Sequence, residues 1–165
     1  MRHNFHNPAL ARLAVLAAKH KVEMGILDAH NQYSDAQALV ATAVSTNVID
    51  HGSDRDLGIG EPLVVQVTVD VSAVTAGTLT VTLQTDSVVG FGGATTVAQS
   101  GAIAQATLVA GYRLVLGVPA DKSMNRFSRL NYTIATITAV TVTSVLIPLK
   151  FVQAENVFPG AFTVL

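Results

Sequence analysis

The sequence predicts an all-β fold: an antiparallel jelly-roll or β-sandwich with an N-terminal helical arm. Three observations carry this expectation. Between Glu61 and Leu149, Val, Leu or Ile repeatedly alternates with Thr, Gln or Ser, and a period of two marks a half-buried strand. Turn signals recur at roughly 8–12-residue spacing, which suits about eight short strands. No segment of helical period lies between them, which argues against an α/β fold.

The elements follow in order. Residues 1–25 read as a helical arm, with Asn7 suited to the cap, Pro8 to the first turn and Gly25 to the end. Leu10, Leu13, Ala17 and Met24 share one face at helical spacing, Arg12, Lys19 and Glu23 gather opposite, and Val15, Ala18 and Val22 form a second apolar strip. Two apolar strips suit contacts on two sides; a plain helix covering one end of the sandwich is the competing reading. The sandwich is expected over residues 26–150. Ala38 to Ile49 reads as its first extended stretch and His51 to Gly60 as a turn-rich loop. In the next strand, 61–71, Val65, Val67, Val69 and Val71 should face one side and Gln66, Thr68 and Asp70 the other. Further strands are expected over 78–85, 95–98, 103–109, 112–118, 129–136 and 140–147, with loops at 86–93 and 119–128. Residues 151–165 carry Phe151, Val157, Phe158, Phe162, Val164 and Leu165 and almost no charge. They read as a docking tail or a last strand.

Composition bounds the function. The 165 residues suffice for one domain with a real core. Half are hydrophobic and only 13% are charged, where about a quarter is usual. Part of the surface is therefore expected to be covered by partners. Ten Lys and Arg against 11 Asp and Glu leave a net charge of -1, which offers no footprint for nucleic acid or an anionic membrane. The absence of Cys excludes a nucleophilic thiol, a disulfide framework and a thiolate metal site, and suits assembly in a reducing cytoplasm. The apolar run Leu13 to Ala18 is short for a signal peptide and is followed at once by Lys19-His20-Lys21. No stretch approaches the roughly 20 apolar residues of a membrane span.

The chain offers little chemistry. Asp50, Asp54, Asp56 and Glu61 form an acidic cluster, but EF-hand spacing would place Gly58 and Ile59 where the loop needs a ligand and a glycine. A tight corner with local pairing by Arg55 is the better reading. His3 and His6 are three apart but precede Pro8 with no third ligand, and His20, His30 and His51 are scattered. There is no Gly-x-Ser-x-Gly elbow, and Gly58-Ile-Gly60 opens no helix. No catalytic residue, metal or cofactor is expected; a hydrolase using Asp54, Asp56 and Glu61 is the enzymatic alternative. A module that binds a glycan is a further alternative; it would need an exposed aromatic or carboxylate groove, with Tyr33, Phe91, Tyr112 and Tyr132 as candidates. Tyr112 and Tyr132 share strand faces with Leu and Ile and are expected in the core. Lys122, Arg126 and Arg129 form a small basic group, suited to a solvated loop or to contact with an acidic protein neighbour, and too small for nucleic acid.

Several stretches together carry a family resemblance. They are Ser34-Asp-Ala-Gln-Ala38, Thr42-Ala-Val-Ser-Thr-Asn-Val-Ile-Asp50, Arg55-Asp-Leu-Gly-Ile-Gly-Glu-Pro62 and Leu79-Thr-Val-Thr-Leu-Gln-Thr-Asp86, then Gly101-Ala-Ile-Ala-Gln-Ala-Thr-Leu-Val-Ala-Gly-Tyr-Arg113 and Arg129-Leu-Asn-Tyr-Thr-Ile134. In this order the chain resembles, over roughly residues 26–147, the capsid cement (decoration) proteins of tailed bacteriophages, of the type found on a Bordetella phage. The resemblance implies a jelly roll. It also implies homotrimers on the outside of the head, near threefold positions of the major capsid shell, made in the host cytoplasm. The role it implies is stabilisation without catalysis. Contacts with the major capsid protein or between copies are then expected from Leu10, Leu13 and Leu16 of the arm. Arg126 and Arg129 of the basic group and Phe158 and Phe162 of the tail are the other candidates. With this resemblance, the glycan-binding alternative becomes a virion surface module that binds a host glycan, and a tail or fibre component is the remaining structural alternative.

Overall fold

The computed structural model describes residues 28–54, 60–73, 76–119, 124–136 and 139–152. Among the described residues nine strands form in chain order: β1 (Gln32–Leu39), β2 (Ala43–Val44), β3 (Ile49–Asp50), β4 (Leu63–Ser72), β5 (Thr78–Asp86), β6 (Thr95–Ala104), β7 (Arg113–Gly117), β8 (Phe127–Ala135) and β9 (Val140–Pro148). One antiparallel sheet has the order β1-β9-β4-β7. The other has the order β2-β8-β5-β6, with β3 also paired to β8. The fold is all-β. The arm, with Leu10, Leu13 and Leu16, and the tail positions Phe158 and Phe162 lie outside the described residues.

Alternation builds the core as expected in the long strands. Val65, Val67 and Val69 of β4, Leu79, Val81 and Leu83 of β5, Leu130 and Tyr132 of β8, and Val140, Val142 and Leu146 of β9 belong to one buried cluster drawn from both sheets. The alternation fails where the pairing register shifts, in β4, β1 and β6. Val71 is 59% exposed, because the β4–β9 register shifts between Val69 and Val71; one extra residue reverses which face a side chain takes. In β1 the register against β9 shifts on either side of Ser34, so consecutive Tyr33 and Ser34 are both buried and Ala36 takes φ 43°. The Thr143 hydroxyl ties both sites together, accepting from Ala36 N at 3.0 Å and donating to Asp70 Oδ2 at 2.7 Å. In β6 one of two irregularities lies near Gly101 (φ 72°), where Ser100 Oγ takes the hydrogen bond of Val81 N at 3.0 Å.

The expected first stretch, 38–49, is divided. Its strand begins earlier, at Gln32, and ends at Leu39, and only β2 and β3 follow. Residues 42–49 are held instead by a mixture of side-chain bonds and isolated main-chain bonds. Gln37 Oε1 accepts from Thr46 N and Gln37 Nε2 donates to Val44 O. Ser45 Oγ accepts from Leu130 N, and Asn47 N donates to Tyr33 O. Residues 103–109 are likewise not a strand: β6 runs through Ala104, a 3-10 turn covers Gln105–Thr107, and Leu108 plugs the core.

Two hydroxyl chains cross between the sheets. Tyr33 Oη lies 2.8 Å from Ser128 Oγ, which lies 2.8 Å from His51 Nε2. Ser34 Oγ donates to Gln37 Oε1 at 2.7 Å, and a hydroxyl has one proton. Tyr132 therefore donates to Ser34 (2.9 Å) and accepts from Ser144 (2.8 Å). Tyr33, Ser34, Ser128, Tyr132 and Ser144 are all wholly buried, and burial pushes both phenols above their ordinary pKa.

Two outcomes follow for stability, each read by chemical denaturation. Tyr132→Phe strands the Ser144 donor and should cost about 1–3 kcal/mol, whereas Tyr33→Phe leaves Ser128 its histidine and should cost about 1 kcal/mol or less. Gly77 (φ +98°) has a carbonyl that accepts from Gln105 N, and a Cβ there would overlap Ala135 O and the Thr136 main chain. Gly77→Ala should therefore cost more than the roughly 1–3 kcal/mol of the backbone conformation alone.

Candidate functional site

The start of β8 brings the basic group against part of the acidic cluster. β8 pairs with β3 through Asp50↔Phe127 and with β5 through Asp86↔Phe127 and Gln84↔Arg129. Arg126 just precedes it. Its guanidinium grips Asp50 in a two-toothed pair, Nε to Oδ1 and Nη2 to Oδ2 at 2.9 Å each. Its amide donates to Asp54 Oδ1 at 2.8 Å, its carbonyl accepts from His51 N at 2.7 Å, and its charge lies 4.9 Å from the Phe127 ring centre. The Arg126 hydrogen bonds, followed by the Gly52 amide, hold Asp50 down at about 2. Arg126 thus answers a carboxylate of its own chain; Arg55, which the sequence suggested as a local partner, lies outside the described residues.

Arg129 faces outward between buried Ser128 and Leu130. Its Nε donates to Gln84 Oε1 at 3.0 Å, and its guanidinium stacks 4.2 Å above the Phe91 ring. Phe91 is buried and held at φ 51° by a loop organised on Asp86. That carboxylate accepts from Val88 N (3.1 Å) and Gly93 N (2.9 Å). These amides, Val88 first, lower its pKa. Val88 and Val89 at the loop tip stand 60% and 61% exposed.

The other candidates do not converge. Glu61 pairs with Lys150, apart from Asp50 and Asp54, and Asp56 lies outside the described residues. Among the described residues no group of three His, Asp or Glu could hold a metal ion. Tyr33, Phe91 and Tyr132 are buried and Tyr112 packs on the core, so these aromatics form no exposed glycan platform. The contact of His51 with Ser128 went unread in the sequence, 77 positions apart; Ser128 is wholly enclosed, beyond reach of a substrate. Among the described residues no helix is long and apolar enough to cross a membrane.

These features define an all-β protein of two antiparallel sheets whose surface groups answer one another locally. A family model, Bbp16, matches residues 33–146, more than two thirds of the chain, from the start of β1 almost to the end of β9. The chain belongs to the Bbp16 family, a Bordetella phage protein family, and membership points to a virion-associated structural protein. No curated protein matches the chain.

The Asp50–Arg126 pair has a pH signature. A carboxylate depressed on folding adds stability above its unfolded pKa, near 3.8, and loses it as pH falls toward the folded value of about 2. Thermal melts between pH 5 and about 2 should show Asp50→Asn with a shallower acid loss than the parent chain. Both partners are about half exposed, so 1 M salt should narrow the difference.

Proposed function

We propose that this protein is a phage head cement protein, a homotrimer seated on the outer surface of the major capsid shell that stabilises the shell without catalysis. The observation that carries this reading is the Bbp16 match, which spans nearly the whole strand framework. The strand order supports a jelly roll. With β2 and β3 counted as one interrupted strand, the sheets read 1-9-4-7 and 2/3-8-5-6, the interleaving produced by folding one long antiparallel ribbon over two sheets.

Physical chemistry supports the role. A partner that binds only the assembled shell stabilises it by mass action, about 2.7 kcal/mol per site when free protein stands at 100 times Kd. Weak contacts repeated by several linked copies multiply that effect. A surface of Thr, Gln, Asn and Val desolvates at lower cost than one of Lys and Glu.

The test is co-sedimentation with phage heads stripped of this protein. Saturable binding near one copy per capsid subunit, with heads then surviving more heat or chelator, is the expected result; absence of binding overturns the reading. Deletion of residues 1–25 should weaken head binding or trimer formation, and unchanged occupancy would remove the arm from the mechanism.

A further inference from the structure

From Ser87 to Tyr112 the sequence carries no charged side chain. This run contains the whole of β6, the edge of the β2-β8-β5-β6 sheet, and β6 has most of its residues exposed. Unprotected edges are ordinarily guarded by charge or proline, and β6 has neither. The outer face of that sheet continues the pattern. Arg129, Gln84 and Thr96 form one row across it, and Asn131, Thr82 and Gln99 form the next. Exposed strand positions of the other sheet, by contrast, carry Asp35 and Asp70. Interface cores are depleted of charge, with arginine among the residues retained.

We infer that the outer face of the β2-β8-β5-β6 sheet, with Arg129 as its one uncompensated charge among the described residues, is the surface that docks on the shell protein. The inference rests on the cement reading. Asp50 on this sheet is neutralised by Arg126, and Asp86 is enclosed by loop amides. Among the described residues Arg129 has an amide oxygen and a ring for partners and no carboxylate. The complementary surface is therefore a protein face of hydroxyl, amide and apolar groups that supplies one carboxylate. Among the described residues Asp50, Asp54, Asp70, Asp86 and Glu61 already accept hydrogen bonds within this chain, and the exposed Asp35 stands on the opposite sheet, so a copy could offer it only face to back. A second copy is thus a poorer source of that carboxylate than the shell. The exposed Val88 and Val89, on the loop that carries Phe91 beneath Arg129, extend the apolar part of the contact.

The experiment compares binding to stripped heads by the full chain and by Arg129→Glu, Thr96→Lys and Gln99→Lys. Val115→Lys, on exposed β7 of the opposite sheet, is the control, and circular dichroism checks each fold. Thr96 and Gln99 are exposed, so those two variants keep the test alive if Arg129→Glu fails to fold. The expected result is at least about tenfold weaker binding for the three, with the control within about twofold of the parent. Three variants that bind heads as the parent does overturn the inference and leave the cement reading standing. Sedimentation velocity separates the other occupant: variants that bind heads normally but no longer assemble assign this face to a second copy and overturn it too. A parent chain that does not bind heads overturns both.

Discussion

Two tyrosine hydroxyls buried between two sheets set the terms of this structure. An unpaired hydroxyl in that position would cost a few kcal/mol, of the order of one fifth or more of a typical domain's stability. Tyr33 and Tyr132 therefore fold only where serines meet them, and those serines come from β1, β8 and β9. The bonds fix the offset of one sheet against the other, which the apolar contacts alone would leave free to slide. They also explain the bulge in β1: Tyr33 and Ser34 must both point inward, which a regular strand forbids. The Gln37 amide at the end of one chain then anchors residues 44–46, where the backbone ladder is nearly absent.

The surface follows from the same economy of local satisfaction. Several of the described charges are drawn into internal pairs or turn bonds: Asp50 with Arg126, Glu61 with Lys150, Asp86 with its loop, Asp70 with Thr143. What remains outside is largely hydroxyl, amide and valine. Such a face interacts weakly with ions and with nucleic acid, and its desolvation cost per unit area is low. The proposed cement role would draw on that property, since a cement protein must settle against neighbours over a wide area with little electrostatic guidance.

The period-two runs made the long strands legible, and with them the inward sets at Val65 to Val69, Leu79 to Leu83 and Val140 to Val142. What the pattern could not reveal were departures from it. Val71 obeys the alternation in sequence and defies it in space, because a bulge is a property of two paired strands and only one is visible at a time. Residues 42–49 look extended because Thr, Val and Ile favour strands, yet side-chain bonds replace most of their ladder. Ile103 to Val109 is apolar enough for a strand, but its middle turns to seat Leu108. At the site, the grouping of Arg126 with Arg129 in sequence was visible. Their partners Asp50, Gln84 and Phe91 were not, being brought in by the pairing of β3 and β5 with β8 and by the Asp86 loop. No local spacing encodes such a meeting.

The two strands nearest the end of the framework, β8 and β9, lie inside their sheets rather than at the edges. During translation β1 through β7 therefore emerge with neither sheet able to close, because the inner partner of each is still to be made. Pairings so distant in sequence form slowly and late. A chain cut short before residue 140 would lack the middle of the β1-β9-β4-β7 sheet and present exposed valines in place of a finished face. Incomplete copies are thereby steered to proteolysis or aggregation, and the order of strands along the gene acts as a quality filter on what reaches the particle.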